Sequence, residues 1–304
     1  MLSFLKDEGI ATGLLDEIKA FRERYPADEE TQIRIPQPKY HYYGNDVWEK
    51  ALTAILAGEN VLLVGPKATG KNVLAENLSA VFARPEWNVA FYLNADAASL
   101  VGSDTFRAGE VSFRPGPITQ CAQFGGFGIL DEINMAKNES LAVLHAALDY
   151  RRILDVPGYE RIQLHEATRF IGTMNYGYAG TRELNEALVS RFTVIQMPVI
   201  GFDALAKLLS NQFPQMKTLY IEQFSALFQE LREKCESSEI STKALDLRGL
   251  LSSIELMRRG LTAGQALELG ITNKSFDGFE RQLVEDLICA RISPNLTVRE
   301  VFER

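Results

Sequence analysis

Apolar positions along the first two thirds of the chain fall into two rhythms. Leu14, Leu15, Ile18 and Phe21 recur at helical spacing until Tyr25-Pro26 breaks the run, which predicts a helical N-terminal segment over residues 1 to about 33. A Pro-punctuated stretch over residues 33–38 is extended, and a helix over residues 46–56 follows. Asn60-Val61-Leu62-Leu63-Val64 is then continuously apolar between Gly58 and Gly65, as suits a strand buried on both faces of a parallel sheet. Similar runs recur at residues 89–93, 127–130, 168–173 and 192–196, with helical spacings between most of them. Such alternation predicts an α/β domain built on a parallel sheet.

Two turn-rich intervals of alternating residues, 105–117 and 152–164, read as β-hairpins inserted around that core. From Gly201 onward strand signals stop, and helical patterns such as Leu247, Leu250, Leu251, Ile254 and Met257 continue to the C-terminus. The predicted organisation is an N-terminal helical brace over residues 1–36, an α/β domain over 37–200 and an all-α domain over 201–304. No internal repeat or low-complexity tract interrupts it.

Composition narrows the function classes. At 46% hydrophobic and 24% charged residues, the chain is globular rather than disordered. Cys121, Cys235 and Cys289 form no CxxC pair, so neither a disulfide framework nor a cysteine zinc site is expected, and a reducing, cytoplasmic setting suits them. His41, His145 and His165 have no metal-ligand spacing. No stretch approaches the ~18 apolar residues of a membrane span, and the start carries no secretory pattern, so a soluble, unexported protein without membrane contacts is expected. A net charge of -8 argues against general affinity for nucleic-acid backbones.

The sharpest chemical signal is Gly65-Pro66-Lys67-Ala68-Thr69-Gly70-Lys71-Asn72-Val73, directly after the first strand and before an amphipathic helix. Glycines let backbone N–H groups turn inward, the helix N-terminus adds positive potential, and Lys71 can reach the outer phosphates of a nucleotide. The last position of such a loop is usually Ser or Thr, whose hydroxyl binds Mg²⁺; here it is Asn72. The third apolar run ends in Asp131-Glu132-Ile133-Asn134, which offers one carboxylate to a metal and one to polarise an attacking water. Alone, these acids would read as a helix N-terminus. Following a phosphate loop, they read as catalytic. The next strand ends in Gly172-Thr173-Met174-Asn175, and the Asn175 amide could reach between the outer phosphate and the water, or serve as a turn residue. Arg191 stands just ahead of the last apolar strand, where a guanidinium can be delivered to a neighbouring subunit's phosphate. Tyr40, Tyr42, Tyr43 and Trp48 either line a base pocket or pack the N-terminal brace.

The ordered set GPKATGKN, GILDEIN, IGTMN and LVSRF with a helical tail resembles an AAA+ ATPase from about residue 40 to 304. The hairpin stretch FRAGEVSFRPGPI, the phrase DEINMAKNESLAVLHAALDYRR and MNYGYAGTRELNEALVSRF resemble the MoxR and dynein-related branch, closest to MoxR-type activators. The resemblance implies a three-layer αβα phosphate-loop core with a parallel sheet, inserted hairpins and an all-α lid. It also implies ATP and Mg²⁺ as ligands, a homo-oligomeric and usually hexameric ring, and chaperone-like remodelling of a client, often through a partner carrying a von Willebrand A domain. By the same resemblance Lys71 is the phosphate lysine, Asp131 the metal residue with Asn72, Glu132 the base, Asn175 the first sensor and Arg191 a finger acting in trans. Arg248 is the candidate second sensor, with Lys243 the competing match. The hairpin over 105–117 is expected to project Arg107, Glu110 and Arg114 toward the client. Two other readings stand beside this one: an ATP-sensing scaffold slowed by Asn72, and a DNA-directed motor subunit, for which no basic arm and no Asn-x-x-Asp guanine signature is present.

Overall fold

The computed structural model describes residues 1–107, 110–156, 159, 161–176 and 183–303, and of Arg107 only the backbone. The Gly109 turn and the stretch 177–182, part of the quoted motifs, lie outside the described residues. The chain divides into two compact units: residues 1–66 with 70–198, and 67–69 with 199–304.

In the first unit, strands β1 (Val61–Val64), β2 (Glu86–Ala90), β3 (Gly102–Arg107), β4 (Glu110–Pro115), β5 (Phe127–Asp131), β6 (Ile153–Leu154), β7 (Ile162–Gln163), β8 (Arg169–Met174) and β9 (Thr193–Gln196) follow in chain order. Five of them form one parallel sheet in the order β2-β5-β8-β1-β9. Both expected hairpins are present as antiparallel pairs, β3 with β4 and β6 with β7. The central strands β1, β5 and β8 are buried on both faces, which is why they appear in the sequence as unbroken apolar runs.

Alternation along β1 divides the core into two layers. Val61 and Leu63 join Phe127, Ile129 and Ile171 under the helices Leu2–Asp7, Thr12–Arg24, Asn45–Leu56 and Lys71–Val81. Leu62 and Val64 face the opposite side, with Trp87, Leu130 and Phe170 under Ala97–Val101, Pro117–Phe124 and the short helices near 138–148. The architecture is the expected αβα sandwich.

Two element boundaries differ from expectation. The second sheet strand is Glu86–Ala90 rather than residues 89–93, because at the sheet edge only alternate residues are buried. Trp87 and Val89 point inward, while Tyr92 and Leu93 are 57% and 47% exposed. The N-terminal segment is two helices ending at Arg24 and a single 3₁₀ turn at Gln32–Arg34, since Pro26 cannot continue a helix.

The second unit is helical throughout its named elements, Phe202–Gln212, Thr218–Glu236, Leu247–Arg258, Ala263–Gly270, Gly278–Arg291 and Val298–Val301 with a 3₁₀ turn, and one antiparallel bridge joins Met216 to Phe302. Leu247–Arg258 and Ala263–Gly270 meet at two glycines. A Cβ on Gly249 would stand 2.1 Å from the Gly270 carbonyl oxygen.

Candidate functional site

The C-terminal ends of β1, β5 and β8 are neighbours in the sheet, so loops that leave them converge above one edge. Ligands in open α/β sheets bind at that edge.

The loop leaving β1 turns through two left-handed residues, Ala68 (φ 62°) and Gly70 (φ 78°), before the helix Lys71–Val81. Gly70 is the N-cap and no side chain caps the helix, so its first N–H groups face the loop. The ring of Tyr42 fixes this geometry from behind: a Cβ on Gly70 would lie 3.1 Å from Tyr42 Cδ2. Tyr42 is itself tied down, its N–H donating to Asn77 Oδ1 at 3.1 Å while Asn77 Nδ2 donates to the Tyr40 carbonyl at 2.9 Å. Trp48 Nε1–H donates to the Tyr42 carbonyl at 2.9 Å. Tyr42, Tyr43 and Trp48 are all buried, so the aromatic cluster packs behind the loop.

Lys71 is 6% exposed, and its ammonium donates to the carbonyls of Gly65 at 2.9 Å and Pro66 at 2.8 Å. Burial pulls its pKa down to about 8, against the opposing pull of Glu132 and then Asp131, which places both carboxylates within electrostatic reach of the lysine. Thr69 is buried and Asn72, the second residue of the helix, is half-buried. Val73 packs sideways onto the apolar cluster beneath the helix.

At the end of β5 the backbone reverses at Glu132 (φ 53°, ψ 46°), a left-handed conformation that β-strands do not use. Three hydrogen bonds to β8 and the residue after it hold that reversal. Asn175 Nδ2 donates to Glu132 Oε1 at 2.9 Å, Glu132 N–H donates to Thr173 Oγ1 at 3.0 Å, and Thr173 Oγ1–H donates to Asp131 Oδ1 at 2.7 Å. Asn134 adds a fourth link, its Nδ2 donating to the Asn175 carbonyl at 2.8 Å. Asn134 is 2% exposed, and its Oδ1, itself buried, has no hydrogen-bond partner.

The structure therefore brings Lys71, Asp131, Glu132 and Asn175 together. Arg191 lies in the same unit but is engaged within its own chain. Its Nε donates to the His145 carbonyl at 3.2 Å, its Nη1 to the Ala187 carbonyl, and its Nη2 pairs with Asp149 at 3.6 Å. Arg248 is exposed at the start of Leu247–Arg258, and Lys243 is exposed with its ammonium over the Phe276 ring at 5.6 Å. On the first hairpin Phe106 and Val111 are cross-strand partners and 77% and 64% exposed, while Glu110 and Arg114 are exposed beside them. Thr173 falls within the IGTMN run and Tyr42 within an aromatic stretch, yet the sequence assigns Thr173 no role of its own and leaves Tyr42 between two, since an Asp-Glu strand end or a glycine-rich loop alone gives no sign of which hydroxyl or ring will meet it.

The residues fit a nucleoside triphosphate with Mg²⁺. Lys71 and the helix N-terminus, which no side chain caps, form a cradle for an anion, and Glu132 and Asp131 lie within electrostatic reach of that lysine. No group of three His, Cys, Asp or Glu that could hold a metal occurs among the described residues. Mg²⁺ in such sites takes one or two carboxylates and the substrate's phosphates, so none is required. No helix among them is long and apolar enough to cross a membrane.

Residues 60–192 match a family model described as an AAA domain of the dynein-related subfamily. The chain is 33% identical over 276 residues to the uncharacterized protein YojN of Bacillus subtilis, covering 89% of this chain and 90% of that one. It is 34% identical over 258 residues to the uncharacterized protein SH1500 of Staphylococcus haemolyticus, covering 82% of this chain and 98% of the other.

Proposed function

Residues 60–192 of this chain are an AAA domain of the dynein-related subfamily and the chain as a whole belongs to the same family as YojN, and from that premise we propose that it is a Mg²⁺-dependent ATPase that remodels or activates a client protein. AAA domains power ATP-driven machines. The observation that carries the finer reading is the convergence of a phosphate-loop lysine, two strand-end carboxylates and an asparagine that holds the second of them.

In this reading Lys71 and the N–H groups of the loop bind the β- and γ-phosphates, with Gly65 to Asn72 wrapped around them. Asp131, aided by Asn72, holds Mg²⁺, which when bound neutralises charge on the phosphate oxygens. Glu132 takes a proton from water at a carboxylate oxygen, and Asn175 keeps that carboxylate from drifting. Residues 37–200 form the nucleotide domain and 201–304 a lid, in which Arg248 rather than Lys243 senses nucleotide. The hairpin β3–β4, with its exposed Phe106–Val111 pair, faces the client. Assembly is a ring, usually hexameric in such families, with Arg191 acting on the neighbour's nucleotide and a von Willebrand A domain partner delivering the client.

Asn72 favours one second reading, an ATP-dependent scaffold with slow hydrolysis, because the side chain that usually offers a metal-binding hydroxyl is an amide. Turnover decides between them. For the ATPase reading, Lys71→Ala loses nucleotide binding, whereas Glu132→Gln keeps it and stalls hydrolysis, since the two residues act in ground state and transition state respectively. Equal affinity and equal turnover in both variants and the parent protein overturn it.

A further inference from the structure

We infer that Thr173 is a positioning residue that sets both carboxylates of the site through one hydroxyl. The inference rests on the nucleotide reading above. Thr173 is 1% exposed near the end of β8, and at a central strand position buried on both faces the expected residue is Val or Ile. The hydroxyl is what departs from that expectation. It makes two bonds of opposite sense, donating to Asp131 Oδ1 at 2.7 Å and accepting the Glu132 N–H at 3.0 Å.

A hydroxyl has a single proton and two lone pairs. Once the proton is committed to Asp131, a lone pair faces the chain one residue later, where the Glu132 N–H arrives. The two bonds therefore reinforce each other: the donor bond polarises the oxygen toward accepting, and the accepted bond favours donation to the carboxylate. One buried atom fixes a side chain, Asp131, and a backbone turn, Glu132.

The turn needs fixing. Glu132 is one of five non-glycine residues described with positive φ, and that conformation persists in an L-residue only where surrounding bonds over-determine it. Its N–H donates to Thr173 instead of continuing the sheet, and its carboxylate is caught by Asn175, two residues beyond Thr173 on the same segment. Without the hydroxyl, the Glu132 N–H and one Asp131 lone pair lose their partner in a half-buried site. The turn then relaxes and both carboxylates lose their aim together. The phosphate loop has supports of its own: Lys71 donates to the Gly65 and Pro66 carbonyls, and Gly70 is backed by the Tyr42 ring.

This separates Thr173 from a packing residue. Removing the hydroxyl at constant shape, with Thr173→Val, leaves metal-free nucleotide affinity unchanged but raises the Mg²⁺ concentration that half-saturates nucleotide binding by about 10-fold or more, as removing a second partner of a metal ligand does elsewhere. Thr173→Ser keeps the hydroxyl, loses a methyl, and restores the Mg²⁺ dependence. The experiment titrates a fluorescent ATP analogue against the parent protein and both variants, in EDTA and across Mg²⁺ concentrations, with turnover and thermal melting measured in parallel. A Mg²⁺ dependence in Thr173→Val equal to that of the parent protein overturns the inference. So does Thr173→Ser impaired as far as Thr173→Val, which would assign the role to the methyl. If the parent protein turns over no ATP while the binding difference persists, the hydrolysis reading fails and the positioning role stands.

Discussion

Raising the pH from about 7.5 to about 9.5 should release nucleotide from this protein while leaving it folded. Lys71 titrates at about 8 in the free protein because burial disfavours its charge. A bound triphosphate places negative charge against the ammonium and raises that value well beyond the range tested. The dissociation constant then scales as one plus the ratio of neutral to charged Lys71, which gives about a 25-fold weakening across these two pH units. A lysine at its ordinary 10.5 would give about 1.1-fold over the same span. Unfolding does not imitate the effect. A folded-state pKa below the unfolded value contributes stability that is present above 10.5 and is lost as pH falls through about 8, so raising the pH favours the fold at this group. The assay is equilibrium binding of a fluorescent ATP analogue in EDTA, which keeps metal out of the titration, with a melting curve at each pH. Any residual binding by Lys71→Ala should be independent of pH over this range. An affinity constant within twofold for the parent protein from about pH 7.5 to about 9.5 would refute the coupling of a shifted Lys71 to nucleotide binding: with Lys71→Ala still weaker than the parent protein the shifted value falls, and with the two equal the phosphate contact falls.

Arg191→Ala should leave ATP binding intact and remove about 10³-fold or more of turnover, and mixing it with Lys71→Ala subunits should restore activity; no recovery in verified mixed rings would leave Arg191 with only its intrachain bonds to Asp149 and the His145 carbonyl. Asn72→Thr should raise the catalytic constant and lower the Mg²⁺ needed for half-maximal rate, because a hydroxyl fits octahedral Mg²⁺ more closely than a longer amide arm. Superimposable Mg²⁺ curves would remove Asn72 from the metal site. In the second unit, Gly249→Ala drives a methyl to 2.1 Å from a backbone oxygen and should cost about 1–3 kcal/mol or more by denaturant titration. Gly278→Ala, where a Cβ meets nothing within 4 Å, should stay within about 0.5 kcal/mol.

The parts of this fold visible in the sequence are those in which one residue type answers one local demand. β1, β5 and β8 must be apolar on both faces, and they stand out as continuous runs. β2 is an edge, obeys a weaker alternating rule, and was displaced in expectation toward Phe91, Tyr92 and Leu93, whose apolar character marks the exit from the strand. In the candidate site, Lys71, Asp131 and Glu132 belong to motifs whose spacing carries their chemistry. Asn175 stands out as a polar residue at a strand end, a signal shared with ordinary turns, and through the IGTMN resemblance, but neither names Glu132 as its partner. Thr173 and Asn134 could not be found that way, because their parts depend on which side chain β8 and β5 bring opposite each other. That is a property of sheet order, and sheet order is not written in any single segment.

Tyr42 has a practical consequence for anyone dissecting the protein. A fragment trimmed to residues 60–192, the span that matches the family model, would keep every phosphate-binding and acidic motif yet discard the ring that backs Gly70 and the Tyr40 carbonyl that anchors Asn77. Such a fragment would carry the right letters on a slack loop, with the apolar side of Lys71–Val81 stripped of Trp48, Leu52 and Ile55. Excision points are better placed ahead of residue 40, where the backing wall travels with the loop it supports.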